Sequence, residues 1–467
     1  MAEERKEAAH KLVDTLKPIP PSGRQVSDLQ YVLMWLAGSV FIGYFMLGAS
    51  LVPPVGELNL LQATTAMIVS MALVALMFTI NSIPGLKYGV PMVVQLRTTF
   101  GYKGSYIPAL IRAVPALFWH GIQTWIGALA INGISQVLLG YDNVALYFVL
   151  FLAAQTILSI YGYVTIKWVE IIGAIFLVFA FVWMTVVIIG EFGVVFMERV
   201  VAIPGTWGRP WWVGMMAFLA IYTTLMLNVS DYTRYLRQKV RGGPLFWLHL
   251  AGLLPSTLFM ATIGLITAGA TGEWNPIDIM IDHIPSTGVL LMTLVFITLA
   301  QWTTNLMLNV LPPANVLMEV FNLKWKPAAI IVGIVVIFTF PWVIVDADVF
   351  FLYMQIYSVF LGPIFGVMVV DYWIIKKQAV DLPELYNAGG KYNYIKGYNP
   401  AALASMVIGS AIAIIDIELS WFFGAPAAAI AFYILQTYLM NPKLTVDLTE
   451  KVDVEELSLE ELDKLEL

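Results

Sequence analysis

The stretch Ala300–Asn309 reads AQWTTNLMLN and lies inside an apolar run from about Gly288 to Leu311. Such a run is long enough to cross a bilayer. Gln301, Thr303, Thr304, Asn305 and Asn309 sit near its middle, where polar side chains cost free energy unless they find partners. At about 100° per residue, Ala300, Thr303 and Thr304 fall on one helical face. Two neighbouring hydroxyls with a small residue one turn earlier could supply oxygens to a hard cation. Asn305 and Asn309 share another face, where an amide could hydrogen-bond a polar solute.

A second constellation is LFWHGIQTWIGA, Leu117 to Ala128. Trp119 and Gln123 are four apart and share a face. An indole is a flat stacking platform, and an amide one turn away offers both donor and acceptor. That pair suits a planar, hydrogen-bonding heterocycle. The chain has 15 Trp, most of them expected to face lipid or interface, and Trp125, on another face, reads as structural. His120, about 100° from Trp119, could relay protons, but a packing role fits it better. Asp231 and Arg234 are three apart and could latch a gate across one turn, but a capping cluster at a helix end is the better reading. Glu170 and Glu319 fall at span ends and are expected to be solvated. There is no paired-carboxylate site within the spans, no metal-spaced His cluster and no phosphate-cradling Gly loop. The chain therefore reads as no enzyme and needs no cofactor. It also lacks a soluble nucleotide-binding domain, which argues against an ATP-driven pump, and no nucleic-acid partner is expected.

The elements that must position these residues follow from composition. Of 467 residues, 60% are hydrophobic and 12% charged, against about a quarter charged in soluble domains. The chain reads as an all-α polytopic membrane protein. It has no cysteine, so thiolate chemistry is excluded. The first 29 residues are charged and Pro-rich, without the short apolar core of a signal peptide. Twelve apolar spans can be counted. With both termini in the cytoplasm, 23 of the 25 Lys and Arg fall in inside segments, and only Arg199 and Arg209 lie outside, as the positive-inside rule demands. Span one (Leu29 to Val52) carries Gly38, Ser39, Gly43 and Gly48. Span six (Trp212 to Val229) carries Gly214, Tyr222, Thr223, Thr224 and Asn228. Interrupted spans at equivalent places point to an inverted-repeat transporter with discontinuous helices, although packing through small residues accounts for the glycines of span one taken alone. Lys87 to Ser105 is expected to lie in the cytoplasm near the membrane surface. The loop Asp371 to Pro400 reads as an ordered cytoplasmic turn, and the acidic tail after Asn441 as a solvated segment.

Six segments in order and at the right topological places carry a resemblance: LFWHGIQTWIGA, NVSDYTRY after span six, GEWNP before span eight, TTN within it, MVVDYWIIKK after span ten and the KYNYIKGYNP loop. Together, from Pro20 to about Asn441, they resemble the nucleobase–cation symport family, which includes hydantoin, purine, pyrimidine and allantoin permeases. The resemblance implies twelve transmembrane helices, a five-plus-five inverted repeat with helices 1 and 6 discontinuous, and alternating access. The divisions would be a cytoplasmic segment 1–28, repeat one 29–190, repeat two 211–373, two further spans 400–440 and an acidic tail 441–467. Trp119 would stack on the substrate, Gln123 would hydrogen-bond it, and Asn309 would bond its amide-like edge. Thr303 and Thr304 would give hydroxyls to the cation and Ala300 a carbonyl, joined by carbonyls of Ala37 and Val40 where helix one breaks. Helix six would likewise turn freed carbonyls toward the ion. Two positions depart from the family pattern: Phe41 stands where a helix-one Gln is found, and Tyr222 where a helix-six Trp packs on the substrate. The expected function is uptake of a planar nitrogenous ring coupled to sodium, with proton coupling as the alternative. The expected setting is the plasma membrane, the unit a monomer. A ligand-binding receptor without coupled transport ranks lower.

Overall fold

A computed structural model describes residues 16–160, 167–237, 242–273, 275–284, 286–345 and 347–439, with residues 461, 462 and 465 of the tail. The rest of the acidic tail lies outside the described residues. The N-terminal span is two helices, α1 (Asp28–Gly38) and α2 (Ile42–Leu51), bent by 59° at the break. There follow α3 (Leu60–Tyr88), the short α4 (Met92–Phe100), α5 (Tyr106–Leu139), α6 (Val144–Ser159), α7 (Lys167–Phe196), α8 (Arg209–Leu227) with a one-turn α9 (Ser230–Thr233), and α10 (Gly242–Thr271). After the short α11 (Pro276–His283) come α12 (Thr287–Asn305), a π turn at Leu306–Val310, and α13 (Leu311–Phe321). The chain ends with α14 (Trp325–Val336), a one-turn α15 (Pro341–Ile344), α16 (Ala347–Val369), α17 (Pro400–Ala413) and α18 (Ser420–Ile434).

These elements make twelve spans. Among the described residues seven helical stretches are long and apolar enough to cross alone, and the longest of them, Pro400–Leu439, is two. Gly409 faces Gly424 and Ala428, while Gly424 faces Ala413, so the register runs backwards and α17 and α18 form a hairpin, turning where Asp416 leaves helical geometry. The α1/α2 pair, α6, the α12/α13 pair and α14 complete the twelve.

Packing shows the repeat. Adding five to a span number maps the first half onto the second, so contacts should come in exchanged pairs. They do: α2 packs on α10 as α8 packs on α3, and α12 packs on α7 as α5 packs on α16. The self-paired contacts, α3 with α10 and α5 with α12, are also present. The two short connecting helices are counterparts too, α4 after span two and α11 after span seven. Small residues allow the closest approach: a Cβ on Gly48 would lie 1.8 Å from the Ala261 carbonyl oxygen, and one on Gly264 1.9 Å from that of Phe45. Gly48→Ala should therefore lower stability by about 1–3 kcal/mol through overpacking. Gly190→Ala, in open space, should gain up to about 1 kcal/mol from helix propensity. Thermal unfolding of the purified variants in detergent reads the opposite signs.

The side expected to face the cytoplasm departs from the sequence reading in two places. The segment expected near the membrane surface instead folds inward, and every residue of α4 is buried. Glu319, expected to be solvated, is buried with Arg97. The guanidinium grips it through Nε and Nη2 at 2.7–2.9 Å and gives Nη1 to the Leu385 carbonyl at 2.7 Å. Its planar fork matches a carboxylate in a way a lysine could not. Asp231 makes no ion pair with Arg234 among the described residues. It accepts from the Met92 amide at 2.9 Å and caps α4, which is the helix-end role favoured from sequence, played toward a neighbouring helix. The 371–400 loop is ordered, as expected: Lys376 bonds Asp371, Lys391 bonds Asp381 at 2.6 Å, and Tyr386 donates to the Leu16 carbonyl at 2.8 Å.

Candidate functional site

Helix one breaks because Ser39, Val40 and Phe41 leave the helical path, Phe41 with extended dihedrals of −131° and 132°. The Val40 amide turns back to the Ala37 carbonyl at 3.0 Å, and the Val40 carbonyl takes no backbone hydrogen bond among the described residues. The Phe41 ring then folds over Gly43, where any Cβ would meet it at 2.2 Å. This lays the ring edge-on against Trp119, centroids 5.5 Å apart, and against Tyr44 at 5.3 Å. Phe350 and Tyr353 of α16 close the other sides of Trp119 at 5.6 and 5.7 Å.

One turn along α5, Gln123 is buried and its Oε1 has no hydrogen-bond partner among the described residues. A buried amide oxygen left unpaired costs about 1–3 kcal/mol, so it marks a place where another donor belongs. Ile126, a turn further, lines a cavity of about 90 Å³ together with Ile42, Met46, Leu129, Val345 and the N-terminus of α11. The cavity thus reaches Ile42, next to Phe41, and Ile126, one turn from Gln123, from the side opposite α4.

Asn309 arrives from the π turn, which packs on α5. The turn has a local cause: Pro312 and Pro313 have no amide hydrogen, so they cannot donate to the Leu308 and Asn309 carbonyls four residues back, and the helix widens. Asn309 Nδ2 donates to Asn305 Oδ1 at 3.0 Å. Asn305 Nδ2 reaches the His120 carbonyl at 3.1 Å, Gln155 Oε1 at 3.1 Å and Thr124 Oγ1 at 3.3 Å. His120 points into this cluster, its Nε2 3.1 Å from Gln155 Oε1. A carbonyl oxygen only accepts, so Nε2 carries the proton.

The structure brings Trp119, Gln123 and Phe41 together and sets Asn309 on the adjoining helix. It does not bring Tyr222 to Trp119. Tyr222 stacks on Tyr44 at 5.0 Å and spends its hydroxyl on Ser39 at 3.2 Å and Thr257 at 2.5 Å, so Phe41 and Tyr44 stand between it and the indole. Among the cation candidates, Ala37, Val40, Ala300 and Thr304 are buried, whereas the Thr303 side chain lies outside the described residues. α7 packs on both α1 and α12 and so connects the two groups. Helix six contributes less than the sequence implied. Its break comes late, at Asn228, and the freed carbonyls are already held: those of Met226 and Leu227 by Asn81 Nδ2 at 2.7 and 3.0 Å, that of Thr224 by Arg112 at 2.6 Å. Sequence reasoning missed Phe350, Tyr353 and Gln155, which carry no motif. Only contact with α5 singles them out.

Residues 18–440 match the family described as permease for cytosine/purines, uracil, thiamine and allantoin. The chain belongs to this permease family. Its relatives include the hydantoin permease of Microbacterium maritypicum, 26% identical over 87% of this permease and 84% of that chain. The allantoin permease of Bacillus subtilis is 29% identical over 80% and 83%. These relatives are permeases, not enzymes. Inward-facing Mhp1 superposes with a TM-score of 0.82 at 24% identity, covering 91% of this permease and 95% of that chain. Mhp1 closed on bromovinylhydantoin, described as a nucleobase-cation-symport-1 family transporter, gives 0.81. The permease is thus a multi-pass membrane protein with that inverted-repeat fold.

Proposed function

We propose that this permease imports a planar nitrogenous ring of the nucleobase, hydantoin or allantoin class, coupled to sodium. The observation that carries this reading is the buried, unpartnered Gln123 Oε1 one turn from an indole framed by aromatic edges. Such a site offers stacking and an acceptor, the two things a flat lactam ring needs. The ring would lie on Trp119 beside Phe41 and meet Gln123 and Asn309. Tyr222 would support it through Tyr44 and not touch it. Hydantoin and allantoin permeases among the relatives support the same substrate class.

For the cation, Thr303 and Thr304 hydroxyls, the Ala300 carbonyl and the Ala37 and Val40 carbonyls at the helix-one break form an all-oxygen donor set, which suits a hard ion. No cluster of three His, Cys, Asp or Glu that could hold a metal exists among the described residues. The proton alternative rests on His120, whose proton is committed to Gln155 within the scaffold, which favours sodium. The permease would act as a monomer in the plasma membrane with both termini in the cytoplasm. Residues 29–190 and 211–373 would rock as the two repeats, with 400–440 appended. The tied cytoplasmic side and the cavity opposite fit the outward phase of that cycle.

The test is ring binding to purified protein in sodium and in choline at equal ionic strength. Affinity should be higher in sodium, because ion and substrate affinities are reciprocally linked. Thr304→Ala should weaken binding in sodium and leave binding in choline unchanged. An equal loss in both media would remove the ion from this site, and no binding of any ring would remove the substrate class.

A further inference from the structure

The polar cluster behind Asn309 has a direction. An asparagine amide is oxygen at one end and nitrogen at the other, and which end faces a ligand decides whether it accepts or donates. Here the choice is set by a group that cannot be reversed. The His120 backbone carbonyl accepts only, so Asn305 must turn Nδ2 toward it at 3.1 Å. Gln155 Oε1, which also receives the Thr124 hydroxyl at 2.9 Å, demands the same of Asn305 at 3.1 Å. Asn305 Oδ1 is thereby aimed at Asn309, and Asn309 must answer with Nδ2 at 3.0 Å. Its own Oδ1 takes no hydrogen bond among the described residues. Asn305, Thr124 and Gln155 are fully buried, and reversing either the Asn305 or the Asn309 amide would set oxygen against oxygen.

Building on the proposed ring site, we infer that Asn305 is a positioning residue that fixes the polarity of Asn309. The site therefore selects rings whose edge carries an N–H, as in a lactam or imide, over rings of the same shape with a nitrogen lone pair there. The chain of command runs from the α5 backbone through Asn305 to Asn309, with Gln155 of α6 holding it. Neither Asn305 nor Gln155 needs to touch the ring.

The experiment measures binding of two shape-matched pairs, uracil against cytosine and hypoxanthine against adenine, to the wild-type protein and to Asn305→Leu and Asn305→Ala. A lone pair opposed to a fixed acceptor forfeits the hydrogen bond and leaves both atoms unpaired. Wild type should thus prefer the oxo, N–H member of whichever pair it binds by about tenfold or more. In the variants Asn309 is free to turn, so that preference should collapse through a gain for the amino member, while Asn309→Ala loses both members. A purely structural role for Asn305 would weaken both members in parallel, and that result overturns the proposal. So does a wild type that prefers the amino member, a readout that needs no variant to fold. If wild type binds no ring of either pair or of the hydantoin class, the substrate reading itself fails and the polarity assignment falls with it.

Discussion

Replacing Glu319 with leucine should be among the most damaging single changes in this chain. The substitution strands the Arg97 guanidinium, which is 1% exposed and among the described residues keeps the Leu385 carbonyl and the Tyr102 and Tyr386 rings. An uncompensated buried charge costs about 3–5 kcal/mol, a large share of the stability of most folds. Removing both charges is a different matter: Arg97→Met with Glu319→Leu should recover much of the loss, because well-packed apolar replacements of a buried pair are often neutral. Thermal unfolding of the two single variants and the double variant checks this. If Glu319→Leu melts with the parent, the pair contributes nothing in the state that dominates in detergent.

The second large effect is expected at Trp119. Alanine there removes the indole proposed to stack on the ring, against which Phe41, Phe350 and Tyr353 rest. Loss of a ring platform costs about 1–3 kcal/mol per stacked base, so ring affinity should fall roughly fivefold to over a hundredfold. Trp119→Phe should keep most of it. Tyr222→Phe is the contrasting case: it gives up the bonds to Ser39 and Thr257 but exposes nothing to the ring, so stability should drop while the ranking of ligands stays. Isothermal titration with the preferred ring, set beside unfolding midpoints, separates the two roles. A change in ligand ranking for Tyr222→Phe would put that residue back in the site.

Much of this arrangement was legible in the chain because it depends on period and charge. Twelve apolar runs give the spans, and a Trp and a Gln four apart on a helix give a shared face. The misreadings have a common origin. Glu319 at a span end reads as solvated because its partner, Arg97, is over two hundred residues away and arrives on a helix that folds inward. Tyr222 stands where the family resemblance implies a substrate-facing residue, but its orientation is decided by Ser39 and Thr257 on two other spans. The widened turn at Asn309 could have been read from Pro312 and Pro313. Gln155 could not: one polar residue in an apolar run says nothing about which neighbour it meets.

The counterpart helices α4 and α11 bear on how the chain is made. Five spans separate them, so one comes to rest on each side of the bilayer, although both do the same connecting job between equivalent spans. Their packing roles match and their charges do not: α4 carries Arg97, α11 carries Asp278 and Asp282. During biosynthesis one architectural unit is therefore inserted twice in opposite orientations, and the Lys/Arg bias that orients connecting segments is present in one copy, through Arg97, and absent from the other.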